Sequence, residues 1–313
     1  EFRSEKYRVQ WKAMVEKHAL PELGKMAVQD IELQDVLRVL QPLWDMRTET
    51  ASKLRQRIEA VLSWATVQGY RTGDNPARWQ GNLKLVLPAP SKVSGAANYP
   101  ALQLADAPRW WQALQAREGM GARALEFQAM TATRAGAIRF ATWDEFDLEA
   151  GVWTIQPGRK ASKIAPSEKA KRVPLTDDML ALLKSLPTMQ DSEFVFWAPR
   201  GGPLSDATLG KVMRSIHEAD QKAGGKGFVD PATGDQAVPH GLRSTFRTWV
   251  AERTTFDGDL AEVALFHKVG SKVQQAYDRS DMVERRRAMM AAWCGFLSGR
   301  EAEKVVQLEG ARA

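Results

Sequence analysis

The chain has 313 residues, 44% hydrophobic and 26% charged, with a formal net charge of +6 and a pI near 9.4. That length suits two domains, each large enough to bury its own core, and the positive balance favours a polyanionic partner. No apolar run approaches the roughly 18 to 20 residues of a membrane span, and the single cysteine, Cys294, excludes an internal disulfide and fits a reducing cytoplasm.

The chain opens on Glu1-Phe2-Arg3-Ser4, without an initiator methionine or a signal-like segment, and reads as a piece of a longer protein. Residues 4 to 87 read as helical throughout. Val28-Gln29-Asp30-Ile31 leads into a helix through Leu40, with Val36, Leu37, Val39 and Leu40 as its apolar stripe. From Thr48 to Ala65, Leu54, Ile58, Val61, Leu62 and Ala65 recur at helical spacing, and Thr48 is placed to cap. Lys53, Arg55 and Arg57 fall mostly off that stripe, so this basic face is a candidate for contact with phosphates; a solvated face is the alternative.

Residues 88–100 hold three prolines, a glycine and small residues, which is linker chemistry. The expected organisation is a helical domain over 1–88, a linker over 89–100, a second domain over 101–300 and a tail over 301–313. The second domain mixes classes. Helical stretches near 106–118 and 121–130 precede strand-like runs at Thr142-Trp143-Asp144, Gly151 to Ile155 and Arg172 to Leu175, and helices dominate from Asp177 onward. The pattern is α+β, mainly helical with a small antiparallel sheet. In the last helical stretch Met289, Trp293 and Phe296 share a side, leaving two readings open: packing within its own domain, or assembly with a neighbouring subunit.

Four separated pieces of the second domain carry chemistry: Arg134, the run His240-Gly241-Leu242-Arg243, His267, and Tyr277. Guanidinium forks match the charge that gathers on the non-bridging oxygens of a phosphodiester in its transition state. A deprotonated phenol can attack phosphorus and hold a DNA end as a covalent ester. Taken singly, each has a structural alternative: Arg134 could pair with a carboxylate such as Asp144, and a lone tyrosine is usually a half-buried packing residue. Their order and context decide. Arg134 lies in Met130-Thr131-Ala132-Thr133-Arg134-Ala135-Gly136, Arg243 in Pro239-His240-Gly241-Leu242-Arg243-Ser244-Thr245, and His267 in Leu265-Phe266-His267-Lys268-Val269-Gly270, with Tyr277 ten residues further on in Ala276-Tyr277-Asp278-Arg279-Ser280.

These boxes together resemble the tyrosine recombinases, and within them the integrases of genomic islands and satellite prophages, over nearly the whole chain. The resemblance implies a helical core-binding domain that clamps DNA, a catalytic domain, and an active site of Arg134, His240, Arg243, His267 and Tyr277. It implies a site-specific DNA recombinase working through a 3′-phosphotyrosine intermediate on double-stranded attachment sites. The enzyme would act as a homotetramer on DNA in a bacterial cytoplasm, with DNA-bending or directionality factors as accessory partners. It also implies an arm-binding domain ahead of this chain. His240 would handle the phenol proton and His267 would donate to the phosphate. A lysine should protonate the departing 5′ oxygen; Lys160 is the choice, with Lys163, Lys169 and Lys171 in the same unusually long segment. Ala137 departs from the family, where many members carry glutamate.

No cofactor or metal is required, because the phosphotyrosine ester conserves the energy of the broken bond. Gly224-Gly225-Lys226-Gly227 lacks the Ser or Thr of a P-loop, Asp144, Glu145 and Asp147 read as turn or strand-end residues, and His18 and His217 read as surface or packing residues. Two rivals remain: a type IB topoisomerase-like enzyme relaxing DNA as a monomer, and a non-catalytic DNA-binding regulator.

Overall fold

The computed structural model describes residues 5–93, 98–159, 161, 164–270 and 280–300. Cα packing divides the chain into two compact units, Glu1–Ala97 and Asn98–Ala313.

The first unit is helical, with α1 (Glu5–His18), α2 (Leu20–Leu23), α3 (Leu33–Trp44), α4 (Thr48–Val67) and the short α5 (Pro90–Val93). Helix α3 starts where the Asp35 carboxylate accepts the Glu32 N–H at 2.7 Å. Its buried Val36, Leu37, Leu40 and Trp44 meet Ala51, Leu54, Ile58 and Leu62 of α4, two apolar stripes at helical period closing on each other. Trp44 stacks on Trp79 with centroids 5.7 Å apart and donates its indole N–H to Pro88 O at 3.0 Å. Thr48 does not cap: α4 begins at Thr48 itself, and its hydroxyl donates to Trp44 O at 2.7 Å.

The basic face expected on α4 is corrected at two of its three residues. Arg55 and Arg57 are each only 8% exposed. Arg55 donates to Ala77 O at 2.8 Å and pairs with Glu59. Arg57 donates to Gln10 O and Trp11 O at 3.0 and 3.1 Å, with its guanidinium over the Tyr7 and Trp11 rings. Long side chains at the stripe's margins have reached backbone carbonyls instead of water. Lys53 is exposed and pairs with Glu49 at 2.6 Å.

The second unit is built around α7 (Met120–Thr131), nearly all of which is buried. Against it pack α6 (Ala107–Gln115), α9 (Asp177–Ser185), α10 (Thr208–Lys222) and α13 (Val283–Leu297), while α8 (Ala135–Arg139) follows it and α11 (Leu242–Arg253) is paired with α12 (Gly258–Ala264). The sheet is antiparallel in the order β1 (Phe146–Asp147), β2 (Val152–Ile155), β3 (Lys171–Pro174), with Trp153 opposite both Phe146 and Val173. Phe127 of α7 meets Phe146, Trp153 and Phe196 at 5.5 to 6.0 Å, joining helix to sheet through one aromatic cluster. The strand expected at 142–144 is instead a single bridge from Thr142 to Phe194 followed by a 3-10 turn at Trp143–Glu145.

Helix α13 buries Met289, Met290, Trp293, Cys294 and Leu297 in its own unit, with Phe296 partly buried beside Trp249 and Trp293. Arg286 donates to Asp281 O and Arg172 O, Arg287 donates to Gly151 O and Leu175 O, and Arg172 forms a fork with Asp281 at 2.7 Å per arm. These contacts fix the start of α13 to β3. Among the described residues no helix is long and apolar enough to cross a membrane.

Candidate active site

Helix α7 ends at Ala132, whose left-handed backbone (φ 50°) reverses the chain and sends Arg134 into the N-cap position of α8. Arg243 lies on the first turn of α11, just after His240 and Gly241. Helix α12 ends at Ala264, and a second left-handed residue, Phe266 (φ 59°), turns His267 back. Both bends occur at residues other than glycine, so surrounding contacts must hold them.

Arg243 supplies those contacts. Its buried guanidinium donates to Ala132 O at 2.8 Å and to Leu265 O at 2.7 Å, and approaches His267 Nε2 at 3.1 Å. One side chain thus ties the Arg134 bend to the His267 bend. Burial, reinforced by the charge of Arg134 and opposed by Glu262, pushes Arg243 down to about 10. Arg134 is also lowered, by burial and against the pull of Glu168. Two guanidinium groups are therefore near enough to repel each other in a half-dry site, an arrangement an anion relieves. Among the described residues the Arg134 guanidinium has no hydrogen-bond partner, and the carboxylate considered for it, Asp144, does not pair with it.

His267 Nδ1 lies 2.6 Å from Glu262 Oε2, and the other oxygen of Glu262 accepts from Arg247 Nε at 2.6 Å. His240 packs its ring on Tyr99, centroids 4.3 Å apart. The backbone beside it is equally close: Val238 N–H donates to Pro100 O at 3.0 Å, Thr245 Oγ1 donates to Leu102 O at 2.8 Å, and a Cβ on Gly241 would fall 1.9 Å from Pro100 O. Only glycine fits there. Gln128, fully buried, donates one amide to Thr133 O and Pro239 O, each at 3.2 Å, stapling together the residues that precede Arg134 and His240.

The structure thus brings Arg134, Arg243 and His267 together, with His240 three residues ahead of Arg243. Lys160 and Tyr277 lie outside the described residues, as does Lys163. Residue Arg159, just before Lys160, is half-buried: it pairs with Glu145 at 2.9 Å and donates to Phe140 O and to Ala137 O. Glu145 also accepts the Trp153 indole N–H at 2.9 Å, and Asp147 accepts the N–H groups of Glu149 and Ala150 in the β1–β2 turn. His217 is a packing residue, accepting the Phe228 N–H at 2.9 Å. Among the described residues no group of His, Cys, Asp and Glu is arranged to hold a metal ion.

Tyr99, Gln128, Arg159, Arg247 and Glu262 are the site residues that sequence reasoning missed. Glu262, five residues before His267, carried the nearest thing to a signal, an acid close ahead of a box histidine.

Residues 1–82 match the pattern described as phage integrase central domain, and residues 103–284 the pattern described as phage integrase family. Prophage integrase IntA of Escherichia coli (strain K12) is 28% identical over 302 residues, covering 95% of this chain and 66% of IntA. The chain therefore spans just under two thirds of that relative's length. Among solved structures, a lambda integrase dimer bound to a COC′ core site superposes with a TM-score of 0.62 at 18% identity, covering 86% of this chain and 90% of that one. A lambda integrase tetramer bound to a Holliday junction gives 0.62 at 18% identity, over 87% and 74%. At such identities the likeness is one of fold, a helical unit followed by a mainly helical unit with a three-stranded sheet. The sequence match spans the described arginine and histidine site and most of the second unit, so the chain belongs to the phage integrase family of tyrosine recombinases.

Proposed function

We propose that this chain is the strand-joining core of a site-specific DNA recombinase that integrates or excises a mobile element. The Tyr277 phenolate attacks a DNA phosphorus, the bond from phosphorus to the 5′ oxygen breaks, and a 3′-phosphotyrosine ester forms. His240 takes the phenol proton and Lys160 gives one to the departing 5′ oxygen. Attack by the 5′ hydroxyl of a partner strand then reverses the chemistry without an external energy source. Arg134 and Arg243 neutralise the non-bridging oxygens, and His267 donates a further hydrogen bond to them.

The observation that carries this reading is the meeting of two half-dry guanidinium groups, one of them without a hydrogen-bond partner among the described residues. A structural arginine is satisfied by carbonyls or a carboxylate; an open fork beside a second cation is suited to an oxyanion. The first unit would serve as the core-type DNA clamp, with exposed Lys53 as a phosphate contact. Assembly as a tetramer on attachment-site DNA, help from DNA-bending or directionality factors, and action in a bacterial cytoplasm belong to the same reading.

The test is a nicked suicide duplex of the attachment core, taken from the DNA flanking the gene. Wild type should leave a denaturant-resistant protein–DNA adduct and Tyr277→Phe none. Binding without an adduct would favour a regulator, and sequence-independent relaxation of supercoils by a monomer would favour a topoisomerase.

A further inference from the structure

Arginine has no lone pair to accept with, so in its contact with Arg243 the Nε2 atom of His267 is the acceptor. The ring proton then sits on Nδ1 and is donated to Glu262. In this arrangement His267 has no proton to offer a phosphate, although the proposed chemistry asks it to donate one. An anionic oxygen seated by Arg134 and Arg243 competes with a neutral imidazole for the Arg243 N–H and wins, because it adds the attraction of opposite charges in a half-dry site, which an uncharged ring lacks. Nε2 is then left facing a phosphate oxygen, and a bound proton is what makes that contact favourable.

Glu262 is built for that change. It accepts Nδ1–H whether or not Nε2 is protonated, so the ring keeps its orientation through the switch. Burial raises this carboxyl, yet its hydrogen bonds from His267 and Arg247 hold it below the usual range, so it stays charged opposite the imidazolium. Among the described residues the ring contacts Arg243 from α11 and Glu262 from α12, with Arg247 of α11 on the other oxygen of Glu262 and Arg134, at the start of α8, beside Arg243; the neighbouring Lys268 is turned to Glu168 at 3.4 Å.

Resting on the recombinase reading above, we propose that Glu262 is a positioning residue for His267, and that seating the scissile phosphodiester is coupled to the uptake of one solvent proton at His267 Nε2. The Arg243 N–H passes from the imidazole to a phosphate oxygen, and the new Nε2–H is donated to the same phosphate.

The Tyr277→Phe protein, which cannot cleave, is titrated by calorimetry with the nicked attachment-core duplex in two buffers of different ionisation enthalpy. At about pH 8 it should take up about one proton per site, since in the free protein Nε2 accepts from Arg243 and carries no proton. Glu262→Gln in the same background should lose at least about half of that uptake, because its amide no longer balances an imidazolium. His267→Lys, whose ammonium is charged beforehand, should bind with no uptake at this site. With Tyr277 restored, Glu262→Gln should form adduct about ten-fold more slowly near pH 8, a deficit that shrinks toward pH 6. His267→Lys should retain adduct formation, a result that a purely structural histidine would not give. Equal proton uptake in all three proteins, or none in the Tyr277→Phe parent, overturns the proposal. The parallel adduct assay on wild type separates the two claims: no adduct sinks the recombinase reading, whereas adduct without proton uptake sinks this inference alone.

Discussion

Helix α4 and the bend between α7 and α8 both hold arginines away from water. On α4, Arg55 and Arg57 are spent on carbonyls, a carboxylate and aromatic faces. At the bend, the Arg134 guanidinium has no hydrogen-bond partner among the described residues, and the nearby Arg243 is lowered by burial and by the charge of Arg134. The first arrangement holds a fold together, and the second sets donors with no partner among the described residues beside a repulsive neighbour. Residue type is shared by the two regions, and Arg243 is as buried as Arg55 and Arg57 while Arg134 is half-buried; what separates the two sets is whether their donors are met within the described residues.

The largest effect that would break this comparison is at Arg134. Arg134→Ala should lower adduct formation by roughly a thousand-fold, the scale of losing one preorganised transition-state donor. The same protein should melt within about 2 °C of wild type, because no described hydrogen bond is lost. A large fall in melting temperature would place Arg134 with the structural arginines of α4.

A buried group of opposite sign sharpens the point. Glu126 on α7 is only 3% exposed, and burial, opposed by Arg123, pushes it up to about 7. Its folded value lies above the unfolded one, so the folded state holds the proton more tightly. The stability this contributes is present at low pH and is lost as pH climbs from about 4.5 through about 7, by up to about 3 kcal/mol. Glu126→Gln should flatten denaturant-measured stability across that window and exceed wild type at pH 8, as long as Arg123 keeps its carbonyl acceptors at Gln115 and Arg117. An unchanged slope would show that the Arg123 ion pair outweighs desolvation.

Next in size are the α4 arginines themselves. Arg55→Met should cost about 2 kcal/mol by leaving Ala77 O without its donor and Glu59 without its partner. The salt dependence of DNA binding should not change, since that guanidinium is not available to a phosphate. A shallower salt slope would return Arg55 to the DNA face. The smallest effect belongs to Lys53→Ala: stability within about 0.5 kcal/mol of wild type, with a slope of log affinity against log salt smaller by about one if Lys53 meets a phosphate.

Much of this architecture can be read from local pattern. The apolar periods of α3 and α4 and the alternation of Val152 to Ile155 reflect interactions within a few residues. The errors come where a partner lies far away in the chain. Arg55 is satisfied by Ala77 and Arg57 by Gln10 and Trp11, separations no helical period encodes. Trp143 to Glu145 has strand-like composition but turns, and Glu145 is then in reach of both Trp153 and Arg159. At the site, the arginine and histidine boxes announce themselves by residue type. Gln128 and Glu262 do not, because a buried amide and a half-buried acid acquire meaning only from the carbonyls and rings placed against them.

The close approach of Pro100 to Gly241 has a practical reading for anyone grafting a new domain onto the second unit. Tyr99 and Pro100 close the proline-rich stretch and Leu102 follows it, yet by contact all three belong to the His240 box. A splice made upstream of Asn98 carries that support across with the unit. One made after Leu102 would leave His240 without its aromatic neighbour and Thr245 without its acceptor, and the hybrid would lose activity for reasons unrelated to its new target.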